Sequence, residues 1–171
     1  PEWMAGTHWD ITERKVSEEA LRESEFRLKE AQRMAMIGNW ELDLVSGRLT
    51  WSDEIFRIFE IDRLQFEANY DTFLSAIHPQ DREAVNAAYT HSPETRSPYA
   101  IEHRLLFPDG RIKHVREQCE TTFDVAGKPL RSVGAVQDIS EEKKAKRTLQ
   151  QQTEALERSN ADLEQFAYVA S

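Results

Sequence analysis

Apolar residues are spaced in two different ways along this chain. In the first part they are sparse and recur every seven positions, at Leu21, Leu28 and Ala35, with Ser24 and Ala31 between them. No Pro or Gly interrupts residues 12–35. That stripe is narrower than the face a globular core needs and suits a helix–helix seam. Thr12 is the candidate N-cap, with Glu13 in the first turn, so residues 1–11 are expected to be irregular. Gly38 supplies the expected stop.

From residue 37 to 140 the pattern shortens. Trp40, Leu42 and Leu44 alternate with polar residues, Ser46-Gly47 marks a turn, and Leu49 and Trp51 resume the run, which predicts a hairpin. Ser52 or Asp53 then caps a short helix carrying Ile55, Phe56 and Phe59. A second helical stretch from Tyr70 to Ile77 presents Phe73, Leu74 and Ile77. Pro79 fits the first turn of a third, running to about Tyr89. The two prolines in residues 90–98 are expected to stop it. Two long β-patterned runs then flank Pro108-Asp109-Gly110, and a turn at Ala126-Gly127-Lys128-Pro129 leads into a third. Two strands, three short helices and three antiparallel strands make an α+β unit. At Ser140 the pattern returns to helix, without Pro or Gly through Ser171. Leu149, Leu156, Leu163 and Ala170 share one heptad position, with Thr153, Asn160 and Ala167 four residues after the first three. Ser140 is followed three residues on by Lys143, so its capping box is incomplete, although Glu141 and Glu142 favour the positive helix end.

Residues 5–15 (AGTHWDITERK) parallel residues 133–143 (VGAVQDISEEK). The chain is therefore divided into the tail of an upstream copy of the same module at 1–11, a linker helix at 12–36, the compact unit at 37–140 and an output helix at 141–171.

Composition narrows the function. Hydrophobic residues make up 39% and charged residues 31%, against roughly 45–50% and 25% in ordinary domains; much of the helix is thus expected to be exposed. With 22 Lys and Arg against 31 Asp and Glu, the formal charge is -9. That charge repels a phosphate backbone, so no nucleic-acid partner is expected. No run approaches a membrane span, so no direct membrane insertion is expected and the chain is placed in the cytoplasm, as a piece of a longer protein that is itself either soluble or attached to a membrane elsewhere. The single Cys, Cys119, excludes a disulfide framework and a cysteine-cluster metal site.

Candidate chemistry is thin. His78 precedes Pro79, where its ring can fix the loop by bonding backbone. His103 and His114 lie on neighbouring strands, but no carboxylate or thiol arrangement completes a metal site. Cys119 reads as a buried small residue. Glu102 and Arg116 are placed for a cross-strand ion pair. Trp40, Trp51, Phe56, Phe59, Phe73 and Tyr89 either wall a cavity between sheet and helices or fill it. No cofactor is predicted; a non-covalent flavin or another small ligand is the alternative these rings leave open. Asp138 and Ile139 join the last strand to the final helix. There Asp138 can accept bonds from backbone N–H groups or a basic side chain, so these two residues and the seam residues Leu149, Leu156 and Leu163 are assigned to signal transmission. No catalytic residues are identified.

Three segments carry a family resemblance. FPDGRIKHVREQCETTFDVAGKPLRSVGAVQDISEEKKA resembles the C-terminal half of a PAS domain, often called the PAC motif. IGNWELDLVSGRLTWSDEIFRIF resembles the family's opening and IHPQDREAV its middle. The resemblance implies the PAS fold, a five-stranded antiparallel sheet with short helices on one face, and a role in sensing or protein interaction exercised through flanking helices. It also argues against a photoreactive flavin adduct, because the family's Cys-containing helical segment has no match here. ALERSNADLEQFAYVAS resembles the start of the dimerisation and phosphoacceptor helix of a sensor histidine kinase. On that resemblance the phosphorylated His and the ATP-binding domain lie beyond Ser171. These residues are then a non-catalytic module of an ATP-dependent protein-histidine kinase, homodimeric through its flanking helices. Its expected partners are the kinase core in cis and, through the parent, a response regulator. The rival readings are a structural dimerisation spacer without ligand, and a PAS module of another signalling protein such as a chemoreceptor or cyclic-dinucleotide enzyme.

Overall fold

The computed structural model describes residues 5–64 and 69–169, the side chains of 5–13, 164 and 166–169 excepted. Its elements run α1 (Ala5–Met34), β1 (Ile37–Asp43), β2 (Leu49–Trp51), α2 (Asp53–Phe59), α3 (Tyr70–Ala76), α4 (Arg82–Thr95), β3 (Tyr99–Leu106), β4 (Ile112–Phe123), β5 (Pro129–Asp138) and α5 (Ser140–Val169). The five strands form one antiparallel sheet in the order β2-β1-β5-β4-β3. This is the α+β architecture expected from the chain's patterning, with α2, α3 and α4 on one face of the sheet.

Register follows the side-chain alternation. Trp40 pairs with Trp51 and Leu42 with Leu49 across the first hairpin, so the apolar members of both strands face the helices. In β4 the residues Val115, Glu117 and Cys119 are buried, while Glu120 between the last of them and Thr121 is exposed. Ile55 and Ile58 of α2, Ile77, Val85 of α4, and Leu105, Val115 and Val136 of the sheet form the centre of the core. Two glycines permit its closest approaches. A Cβ on Gly38 would collide with Ile55, and one on Gly134 with the indole of Trp40.

Several expected boundaries move. The first helix begins at Ala5, not Thr12. A strand needs a neighbour to satisfy its backbone, whereas a helix satisfies its own, so residues 5–11 extend α1 instead of remaining irregular. Residues 1–4 and 170–171, with the Phe166–Ser171 side chains of the phosphoacceptor-like segment, lie outside the description. Gly38 does not end α1: Met36 takes the left-handed conformation (φ 53°), and Gly38 sits in β1 opposite Val136. Its value there is space for α2, not a positive φ.

Helix α4 does not stop near Tyr89 but passes through Pro93 to Thr95. Pro93 lies in the final turn, where its missing N–H costs the Tyr89 carbonyl one helical donor and no more. Arg96, left-handed at φ 55°, closes the helix with its N–H on the Ser92 carbonyl, and the Ser92 hydroxyl donates to the Ser97 carbonyl at 2.6 Å. Pro79 falls in the turn ahead of α4, not in its first turn.

Candidate functional site

Between the sheet and the helices lies a cavity of about 20 Å³, lined by Trp40, Leu49, Trp51, Tyr70, Phe73, Tyr89 and Glu117. Trp40, Trp51, Phe73 and Tyr89, expected as walls, line it. Phe56 and Phe59, also expected there, do not. Each stands behind Trp51, with ring centroids 5.4 and 5.6 Å away, and Phe59 also packs on Phe73 at 6.1 Å. The helical period of α2 turns those two rings toward the indole's far side, so they brace the wall. Tyr70 and Tyr89 stack at 4.6 Å, and the Tyr70 hydroxyl donates to Asn86 Oδ1 at 2.6 Å, tying α3 to α4.

The aromatic rings fill most of this space. A cavity of about 20 Å³ has room for one water-sized occupant, whereas sites for drug-sized ligands run to roughly 300 Å³ or more. At about 20 Å³ the space between these rings is smaller than an isoalloxazine ring. A larger hollow, about 480 Å³, lies at the outer face of the sheet along Asn39, Ala100, Gln118, Val133 and Ala135, but it is an open trough.

The chemistry of the cavity comes from a residue that the sequence reading passed over. Glu117 is 1% exposed. Its Oε1 accepts from the Tyr99 hydroxyl at 3.0 Å, and its Oε2 lies 3.3 Å from His103 Nε2. His103 is itself buried, edge-on to Phe73 at 6.2 Å, and its Nδ1 has no partner. The Trp40 indole N–H is also unpartnered. Burial first, and then the Glu117 charge, push the Cys119 thiol up to about 11 and raise the Tyr70 hydroxyl. Burial, with neighbouring groups including Glu117, takes Tyr89 to about 12, and burial followed by Glu117 raises Tyr99 further. The signal for Glu117 was present in the strand period: if Cys119 faces inward, so does the residue two before it. His103 and His114 are not a pair. They sit at adjoining cross-strand positions, opposite Val115 and Arg104, and so point to opposite faces. Among the described residues no group of three His, Cys, Asp or Glu side chains could hold a metal ion.

A second constellation surrounds the start of α5. Asp138 Oδ1 accepts from the Ser140 N–H at 2.9 Å, and Oδ2 lies 3.9 Å from Lys113 Nζ. The Ser140 hydroxyl does not cap its own helix; it accepts from the His114 N–H of β4 at 3.0 Å. Ile139, 2% exposed, offers its carbonyl to the Lys143 N–H and its own N–H to the His114 carbonyl. Lys113 reaches further, donating to the Ile58 carbonyl at 2.9 Å and pairing with Glu60 at 3.1 Å. Arg111 and then Lys113 hold the Glu60 carboxyl below its usual range. Thus α2, which braces the cavity wall, and the start of α5 meet on one lysine. Glu102, Arg116, Glu142 and Lys143 form a neighbouring network, including the expected Glu102–Arg116 pair at 2.8 Å and a Lys143–Glu102 contact.

Beyond that junction α5 carries Leu149, Leu156 and Leu163, which are 62–65% exposed. Leu21 and Leu28 of α1 are both 60% exposed. No helix among the described residues is long and apolar enough to cross a membrane.

Two loop residues fix the far end of the helical layer. His78 Nδ1 accepts from the Gln80 N–H at 3.3 Å, the backbone role expected of it. Asp81, at the start of α4, spends its carboxylate on Arg104 of β3 through the backbone N–H, Nε and Nη2 at 2.9, 2.9 and 2.6 Å.

Known proteins are similar to this chain in sequence and in fold. The probable diguanylate cyclase DgcE of Escherichia coli is 28% identical over 147 residues, 86% of this chain and 13% of the cyclase. The sensor protein FixL of Bradyrhizobium diazoefficiens is 32% identical over 113 residues, 66% of this chain and 22% of FixL. The chain therefore spans less than a quarter of either relative. Among solved structures, a sensory box histidine kinase/response regulator from Burkholderia thailandensis superposes with a TM-score of 0.61 at 26% identity, covering 77% of this chain and 98% of that one. The family model described as the PAS fold matches residues 48–136, from the second strand into the last. With that match, the five-stranded sheet, its helical layer and the flanking helices α1 and α5, the chain belongs to the PAS fold family as a sensor module of a signalling protein.

Proposed function

We propose that this PAS module regulates a two-component sensor histidine kinase in the cytoplasm. Two copies pair in parallel through α1 and α5, and a change at the cavity alters the packing of the paired α5 helices. The kinase core in cis responds, and through it a response regulator. One observation carries this reading: the β5–α5 junction is bonded on both sides, by Asp138 to Ser140 and Lys113 and by Ser140 to His114, while the helix it launches exposes leucines every seven residues. A junction held this firmly passes a tilt of the sheet edge into the helix, and a heptad seam converts it into one of a few discrete packings. The resemblance of ALERSNADLEQFAYVAS to a phosphoacceptor helix supplies the output class.

The likeness to a diguanylate cyclase over 86% of the chain favours a second reading, in which the same junction drives cyclic-dinucleotide synthesis. Full-length protein given γ-labelled ATP separates the two. The kinase reading predicts a base-stable, acid-labile phosphoprotein and no dinucleotide from GTP; the reverse result replaces it with the second.

A further inference from the structure

The exposed seam of α5 carries more than leucine. Leu149, Thr153, Leu156, Asn160 and Leu163 follow one another at alternating spacings of four and three residues. Those are the d and a positions of a heptad, with the leucines at d. The opposite side of the helix is bonded to itself: Gln150 Nε2 donates to Glu154 Oε1 at 3.0 Å, and Arg158 pairs with Glu154 at 3.8 Å. Thr153 commits its hydroxyl to the Leu149 carbonyl at 3.0 Å, which leaves its methyl group to meet a neighbour. The Asn160 amide has no hydrogen-bond partner among the described residues, and Asn is a poor residue for a helix interior. Nothing within the single chain compensates for it.

The layers select what covers this face. When two copies of α5 run parallel and in register, like positions meet: leucine packs on leucine, and the Asn160 amide faces its own copy, which offers both a donor and an acceptor. Antiparallel pairing sets a against d, so Asn160 is buried against leucine with its amide unsatisfied. Charge agrees. In the parallel pair Glu157 lies beside Gln152 of the partner subunit. The antiparallel alignment that opposes Leu156 and Asn160 instead brings Glu157 against Glu157 of the partner subunit, a like-charge contact. A parallel pair slipped by seven residues keeps leucine on leucine but sets Asn160 against Thr153, whose hydroxyl is already committed.

We propose that Asn160 is the register-determining residue of a parallel α5 pair, hydrogen-bonding Asn160 of the partner subunit across the seam. It weakens the pair relative to an all-leucine seam and excludes the slipped and antiparallel arrangements. A single alignment is what lets a movement at the β5–α5 junction reach the far end of both helices in the same way. This deepens the reading of α5 as a paired output helix, on which it rests, by naming the alignment and the residue that sets it.

Lys146→Cys places a thiol at the first a position of the seam. The native Cys119 is buried and its thiol is pushed up to about 11, so it does not compete. Two thiols at position 146 come within the about 7 Å between Cα atoms that a disulfide spans only in the parallel, in-register pair; a seven-residue slip moves them about 10 Å along the helix. The 171-residue chain carrying K146C, with and without Asn160→Leu, is equilibrated in a glutathione redox buffer at concentrations where both are fully associated, and both are sedimented under reduction. With Asn160 in place, a single dimeric species that cross-links nearly completely is expected. N160L should associate about ten-fold or more tightly, yet cross-link several-fold less completely and form species larger than a dimer. An N160L chain that associates and cross-links as before overturns the proposal and leaves the paired helix standing. A dimer with Asn160 in place that does not cross-link overturns the parallel alignment, and a chain that stays monomeric removes the pairing itself.

Discussion

Replacing Asp81 by Asn should remove the charge that pins the start of α4 to β3. Its carboxylate sits against the Arg104 guanidinium and backbone N–H, and mainly for that reason its pKa falls from 3.8 to about 2. A fall of that size corresponds to ~2.4 kcal/mol of preference for the ionised form in the folded state. The Asp81 side chain is 21% exposed, and solvent screening reduces the expected contribution to ~1.5–2 kcal/mol. That is a sizeable part of the ~5–15 kcal/mol that keeps a domain folded. The sign follows from the direction: the folded-state pKa is depressed, so the stabilisation is complete above about pH 4 and disappears as pH falls through about 2. At pH 3 roughly half should remain. Urea unfolding of the wild type and D81N at pH 7 and pH 3 checks this. D81N should lose ~1.5–2 kcal/mol at the higher pH and about half as much at the lower. A loss below ~0.5 kcal/mol at pH 7, or an equal loss at both pH values, would refute the claim that the ionised carboxylate is the source.

Sedimentation of the chain should show concentration-dependent dimerisation in the micromolar range, since each buried leucine contributes about 1–3 kcal/mol against an association cost of ~4–15 kcal/mol; changing Leu149 and Leu156 to Ser should leave monomer. Asp138→Ala removes the acceptor of the Ser140 N–H and should cost ~0.5–2 kcal/mol in thermal or urea unfolding, while in full-length protein it weakens the response of activity to input far more than it weakens the fold. Gly134→Ala drives a methyl into the Trp40 indole and should cost ~1–3 kcal/mol, with an altered tryptophan emission spectrum; unchanged stability and spectrum would mean the indole is not seated as described.

Local chemistry made much of the fold legible. The Ser46-Gly47 turn sets Trp40 opposite Trp51, the Pro108-Asp109-Gly110 turn sets Glu102 opposite Arg116, and both follow from the two-residue period once the turn is located. The errors came where a distant contact overrides a local signal. Gly38 looked like a helix stop, but α2 requires its missing Cβ. Pro93 looked like a barrier, but Arg96 and Ser92 close the helix beyond it. Ser140 looked like a cap, but its hydroxyl serves β4. For the site, the aromatic content announced a cavity wall without saying which rings face it. Phe56 and Phe59 stand on α2 and pack against Trp51 of β2 instead of lining the cavity. Glu117 was hidden because a lone Glu in a strand ordinarily faces water; its inward position depends on the register that also buries Cys119.

The central claim is that α5 carries the signal as a rotation-sensitive seam, and insertions after Lys146 in the full-length protein test it most directly. One added residue turns everything beyond it by about 100°, whereas seven restore the face that Leu149, Leu156 and Leu163 present. Autophosphorylation and dephosphorylation should be measured for the wild type and both variants, with and without input. The account predicts that the one-residue insertion changes or inverts the kinase-to-phosphatase balance while the seven-residue insertion largely preserves both balance and response. Equal activity and equal response in the two insertions would contradict it, and would make α5 a tether.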